Sequence, residues 1–146
     1  MKVFTSKKVL TVIALVCACF TAHAQESLTV KTEAGKLATH IPEAKKYQIT
    51  DLKVTGEING TDILLLRQMA GKGLYESDKT EGKLTSLDLS EVRIVEEGEN
   101  YCAIKKGLSP KFYKPTEKDV IPPYMFYKLN QLTKIQLPAT IKKIDK

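Results

Sequence analysis

Residues 84–89 read LTSLDL, and the same grammar occurs at 49–54 as ITDLKV and at 132–137 as LTKIQL. Each segment places apolar side chains first, fourth and sixth, and each has a threonine second: Thr50, Thr85 and Thr133. The closing apolar-x-apolar step is the period-two mark of a strand with one buried face. Strands that share one pattern can lie side by side so that each apolar row continues the next, whereas unlike patterns leave gaps. Three such segments therefore point to short strands stacked in a common sheet.

Outward from these segments the chain divides readily. Lys2, Lys7 and Lys8 precede an almost unbroken apolar run from Val9 to Phe20, and Ala22-His23-Ala24 follows as a small-x-small cleavage pattern. This is the layout of a secretory signal, with Gln25 as the first mature residue. The run falls well short of the ~20 residues that a membrane-spanning helix needs, and no later stretch approaches it. Val16-Cys17-Ala18-Cys19 resembles a lipobox only weakly, and the peptidase site behind it argues against that reading. Export removes Cys17 and Cys19, leaves Cys102 as the single thiol and excludes an internal disulfide. The leader holds three of the 23 basic residues and none of the 17 acidic ones, so the charge is +3 without it and +6 with it. Such a balance gives no basic stripe for nucleic acid. The mature length suits one domain with a modest core.

Further elements can be placed by pattern. Leu28, Val30 and Thr32 alternate as a short strand, and Leu37, Ala38, Ile41, Ala44 and Lys45 follow helical spacing despite Pro42. The segment from Ile49 to Val54 is a strand closed by Thr55-Gly56. Asn59-Gly60 predicts a turn with positive φ, and Thr61 an N-cap. Asp62 suits the positive end of the helix dipole. Ile63, Leu66, Arg67 and Ala70 carry the helix to Gly71, a C-terminal cap. Glu96 to Asp119 is a polar, lysine-bearing excursion with room for a hairpin. Ile121-Pro122-Pro123 opens a helix or turn through Tyr124, Met125, Phe126 and Leu129, and Leu132 to Leu137 forms a strand that Pro138 ends.

The x-Leu-x-Leu part of the shared pattern is the strand portion of a leucine-rich repeat. The intervals are uneven, 35 and then 48 residues, against ~20–29 for that repeat, so the surplus must loop out or belong to a cap. Residues 121–144 carry a closer likeness. Ile121-Pro122-x-x-Met125-Phe126, then Leu132-x-x-Ile135-x-Leu137-Pro138, then Thr140-Ile141-x-x-Ile144 resembles the unit of the BspA-like leucine-rich repeat family of bacterial surface proteins. Met125 stands where that unit has alanine, Leu129 where cysteine or serine is often seen, and Ser90 where the proline of the 84–95 segment would fall. Val30 to Gly71 is similar to the N-terminal cap of such secreted proteins in Bacteroidetes. The expected fold is thus α/β: a solenoid fragment with short stacked strands behind a small helix-containing cap. Residues 1–24 are the signal, 25–82 the cap region, and 83–146 an incomplete repeat region with a long insertion near 96–120. A chain ending on its most regular unit is expected to be a truncated member or fragment. The less favoured reading is a short protein whose open strand edge pairs with another chain.

Catalytic residue types are sparse. His40 is the only mature histidine, simplest as a surface or satisfied group, and Cys102 sits in no recognisable nucleophile setting. One histidine and one cysteine do not make a zinc site. Glu96, Glu97, Glu99 and Asn100 lack the spacing of a calcium loop and read as a solvated acidic turn. There is no glycine-rich phosphate loop. We therefore expect no catalytic residue, metal or cofactor. The expected function is non-catalytic protein or glycan binding, or adhesion, by a secreted or cell-surface protein. Tyr101, Phe112 and Tyr113 are the candidate contact aromatics, while Tyr124 and Tyr127 suit contact or core equally. The alternative is an extracellular hydrolase using carboxylates, although no motif fixes two of them together.

Overall fold

A computed structural model describes residues 24–146. The leader therefore lies, save Ala24, outside the described residues. The elements in chain order are β1 (Ser27–Thr32), α1 (Leu37–His40), a single 3-10 turn (Glu43–Lys45), β2 (Asp51–Ile58), α2 (Gly60–Met69) and β3 (Ser86–Ile94). They continue with β4 (Cys102–Lys106), β5 (Ser109–Tyr113), β6 (Val120–Ile121), β7 (Lys134–Gln136) and β8 (Lys143–Ile144). The chain is mixed α/β with mostly strands. No helix among the described residues is long and apolar enough to cross a membrane.

The three threonine-bearing segments meet in one parallel sheet, ordered β1-β2-β3-β7. Leu52 pairs with Leu87, and Leu87 with Ile135, so the segments stand in the register that their patterns require. The shared threonine has a specific task. The Thr50 carbonyl accepts from the Thr85 amide at 2.9 Å, the Ser86 amide at 3.0 Å and the Thr85 hydroxyl at 3.1 Å. One strand further on, the Thr85 carbonyl accepts from the Thr133 amide at 2.8 Å, the Lys134 amide at 3.2 Å and the Thr133 hydroxyl at 3.2 Å. One strand earlier, the Thr50 and Asp51 amides donate to the Glu26 carbonyl at 2.9 and 3.2 Å. Each threonine thus satisfies a carbonyl of the preceding strand where its own strand begins, a group that would otherwise be short of partners. β1 enters the same register, Leu28 opposite Leu52 and Val30 opposite Val54, and so is a fourth strand of the stack that lacks the threonine.

Side chains one residue apart point to opposite faces, and the inward row is apolar. Leu52, Val54, Leu87 and Leu89 are buried, with Ile58, Val92 and Ile94 continuing the row. Their equivalents at the sheet edge, Ile135 on β7 and Leu137 just after it, are 36% and 41% exposed. The register slips between Lys53 and Thr55, where β3 carries one more residue than β2. The Asp88 carboxylate accepts from the Ser90 amide in this bulge, and the extra residue is why the buried row passes from Leu87 and Leu89 to Val92 and Ile94.

α2 closes the inner face through Ile63, Leu66 and Met69. Its N-cap is Asn59 and not Thr61: the Asn59 side chain accepts from the Thr61 amide at 3.0 Å, and Asp62 accepts from the Asn59 amide at 3.0 Å. That reciprocal pair holds Asn59 extended at φ −127, so the expected positive-φ turn is absent. Asp62 also accepts from the amides of Gly35 and Leu37, which fixes the β1–α1 turn against α2. The C-terminal end behaves as expected, with Gly71 at φ +90 after the cap. The helix expected over 37–45 is broken: α1 stops at His40, because Pro42 pushes Ile41 into extended backbone (φ −108, ψ 114), and only a 3-10 turn follows. β2 runs on through Gly56 to Ile58 because Gly56 takes φ +99. A Cβ there would stand 2.1 Å from the Thr32 carbonyl oxygen of β1.

Two substitutions test this frame. Thr85→Val is expected to lower stability by ~1 kcal/mol, the size of one internal hydrogen bond. Thr133→Val on the exposed edge should cost less. Gly56→Ala should cost more than ~2 kcal/mol, since left-handed strain adds to a backbone collision. Denaturant midpoints of the three variants give the ranking.

Candidate functional site

The excursion between β3 and β7 folds into an antiparallel ribbon. β4 and β5 pair Ala103 with Phe112, Ile104 with Lys111 and Lys105 with Pro110. Gly107 turns the chain at φ +66, leaving Leu108 fully exposed at the tip. Alternation assigns the faces. Cys102, Ile104 and Tyr113 face the core and are buried, whereas Ala103, Lys105, Pro110 and Phe112 share the outer face, where Ala103 is buried and the other three are exposed. The loop after α2 lies along this outer face. The Ala103 amide donates to the Leu74 carbonyl at 2.8 Å, and the Tyr75 ring meets Phe112 edge-on at 6.2 Å.

Ribbon and loop enclose an open cleft of about 470 Å³, lined by Tyr75, Glu76, Lys105, Leu108, Pro110 and Lys128 among others. Tyr75 and Phe112 are 45% and 43% exposed, so the cleft adjoins a small apolar strip of Tyr75, Leu108 and Phe112. Glu76 is already engaged. It pairs with the Lys128 ammonium and accepts from the Tyr127 hydroxyl at 3.1 Å. The Lys128 hydrogen bond, followed by that of Tyr127, holds the Glu76 carboxyl below its ordinary pKa. A second, shallower depression of about 200 Å³ lies on the solvent face of the parallel sheet, lined by Thr29, Lys53, Asp88, Lys134 and Gln136 among others. Lys53 there contacts Glu91 at 2.5 Å and Asp88 at 4.0 Å.

Of the three expected contact aromatics, Phe112 alone is at the surface. Tyr101 is fully buried, and its hydroxyl donates to the Pro123 carbonyl. Burial raises its phenol pKa above the usual range. Tyr113 occupies the core face of β5, its ring 4.6 Å from that of Tyr124 and tilted 56° to it, with the Lys111 ammonium 5.4 Å from its ring. The two-residue period of the ribbon decides this, since Phe112 and Tyr113 must point opposite ways. Tyr124 and Tyr127 are half-buried and pack edge-on at 5.5 Å. Tyr75 and Leu108 went unmarked in the sequence. The usable signal was Lys105-Lys106-Gly107-Leu108, a glycine turn between two short strands.

The remaining residues singled out for chemistry do not converge. His40 is exposed at the end of α1, beside a depression lined by Lys31, Glu33, Lys36 and Thr39. Cys102 is fully buried, and burial raises its thiol pKa. The acidic turn wraps the start of α2: the Glu97 carbonyl accepts from the Gly60 amide at 3.2 Å, and the Glu99 amide donates to the Thr61 hydroxyl at 3.0 Å. Among the described residues, no group of three His, Cys, Asp or Glu is placed to hold a metal. Arg67 is the conspicuous buried ion. It is 1% exposed, and one terminal nitrogen donates to the carbonyls of Tyr124, Met125 and Tyr127 at 3.1, 3.1 and 3.2 Å.

No protein-family model matches this chain, and no curated protein matches it.

Because thiolate character and access set cysteine reactivity, Cys102 should be silent to a thiol-specific chromogenic disulfide in folded protein lacking residues 1–24. One equivalent should react after denaturation. Rapid native labelling would contradict the buried placement.

Proposed function

We propose that this is a non-catalytic binding protein of the BspA-like leucine-rich repeat kind, exported to the cell surface or released, that holds a protein or glycan partner. The amino-terminal leader supports export. The observation that carries the binding reading is the division of labour in the fold. Residues 49–54, 84–89 and 132–137 stack in register, and the insertion between the last two puts Leu108, Phe112 and the adjoining Tyr75 at the surface around a cleft. Exposed apolar and aromatic side chains grouped on a rigid ribbon are what contact surfaces are made of. The titratable groups near them include an ion pair, Glu76 with Lys128, lysines, and Asp78, whose carboxylate accepts from the Tyr75 amide.

Immobilised protein lacking residues 1–24 should retain a partner from bacterial or host surface extracts. Phe112→Ala combined with Leu108→Ser should weaken retention about tenfold, corresponding to ~1.4 kcal/mol. Both residues are exposed, so the melting temperature should not move. Failure to retain any partner would refute the reading, as would turnover of a polymeric substrate abolished by one carboxylate substitution.

A further inference from the structure

The cleft beside the ribbon has a feature that neither a general contact surface nor a sugar platform requires: an open strand edge. In an antiparallel pair, successive residues turn their N–H and C=O alternately toward the partner strand and away from it. Ala103 turns away, since its amide bonds the Leu74 carbonyl outside the ribbon. Two residues on, Lys105 repeats that orientation. Its ladder partner is Pro110, which has no N–H to offer. The Lys105 N–H and C=O therefore face the cleft that Lys105 lines.

The loop covers this edge only as far as Ala103, where Tyr75 forms a parallel bridge. It then turns off, because Asp78 accepts from the Tyr75 amide at 2.9 Å and its own amide donates to the Tyr75 carbonyl at 3.0 Å. The groove thus continues along β4 beyond the point where the protein's own chain leaves it.

Charge and apolar surface narrow the occupant. The ribbon carries no carboxylate, and of its three lysines Lys105 lines the cleft, while Lys106 and Lys111 alternate to the opposite face. None of these lysines joins an ion pair among the described residues. The one carboxylate lining the cleft, Glu76, is neutralised by Lys128. Tyr75, Ala103, Leu108 and Pro110 supply apolar walls.

We infer that this cleft binds an extended acidic peptide, which adds a strand to the open edge of β4 at Lys105, seats an apolar side chain between Tyr75 and Leu108, and sets a carboxylate against the Lys105 ammonium. Strand addition draws affinity from main-chain hydrogen bonds and selectivity from alternate side-chain pockets. An oligosaccharide has no amide ladder to match the edge. An anionic lipid surface would engage only the projecting Leu108 and leave the groove empty. This assignment rests on the binding-protein reading and specifies its ligand.

The test uses the chain without residues 1–24 and a fluorescein-labelled peptide, Glu-Val-Glu-Leu-Glu-Val-Glu, followed by fluorescence anisotropy. Saturable binding that weakens with salt is expected. Lys105→Glu should reduce affinity at least tenfold with an unchanged melting curve, and Lys106→Glu, on the other face, much less. A peptide N-methylated at alternate amides, so that it cannot donate to the edge, should fail to bind. Equal binding of the N-methylated peptide, or indifference to Lys105→Glu, overturns strand addition. So does binding of oligogalacturonate or phosphatidylserine vesicles in place of the peptide. If Lys105→Glu and the parent protein retain the same partner from surface extracts while the peptide fails to bind, the cleft assignment falls and the binding-protein reading stands.

Discussion

The carbonyl oxygens of Thr50 and Thr85 set the pitch of this molecule. Each receives two amides and one hydroxyl from the start of the next strand, so successive strands cannot slide without abandoning all three donors. A slip by one residue would also turn the leucines to water and the lysines inward. Hydrogen bonding and hydrophobic burial therefore enforce the same register from two sides, and the lengths of the intervening loops are left free. That freedom is visible in the chain, where 35 residues separate the first pair of threonines and 48 the second.

What holds the long second loop in place is an unusual choice. Arg67, on the buried side of α2, meets no carboxylate among the described residues. Its positive charge is balanced by the carbonyl ends of the turn spanning Tyr124 to Tyr127, and its Nε finds no partner among the described residues. Desolvation lowers its pKa, yet a guanidinium remains charged at any ordinary pH. Removing the side chain would strand three converging carbonyls, while removing the turn would strand the cation, so each makes the other necessary. Gln131 repeats the device nearby, donating from its side-chain amide to the Ala70 and Gly82 carbonyls at 3.1 and 2.9 Å. Together they tie residues 124–131 to the end of α2.

Much of the frame was legible in the residues. The repeated apolar-Thr-x-apolar-x-apolar pattern named the strands that pair, and Gly71 marked the end of α2. Where the reading missed, a longer-range partner had intervened. Asn59 became the cap because Asp62 returns its carboxylate to the Asn59 amide and also ties the β1–α1 turn, and the latter contact is invisible to a local scan. β1 escaped the repeat because it has Glu26 where the others have threonine. The candidate contact residues were harder still. Tyr101, Phe112 and Tyr113 look alike in a polar stretch, and only the register of β4 against β5 separates the exposed ring from the buried ones. Leu108 and Tyr75 acquire meaning solely from being brought together.

The ribbon is anchored at its roots. Cys102, Ile104 and Tyr113 sit in the core, and hydrogen bonds join β4 to the Leu74 loop, while neither ribbon strand belongs to the parallel sheet. The outer stretch from Lys105 to Phe112 can therefore be lengthened, recharged or exchanged wholesale without disturbing the threonine register. Such an arrangement separates the part of the chain that sets its shape from the part free to change, and makes that short window the place for an engineered loop library.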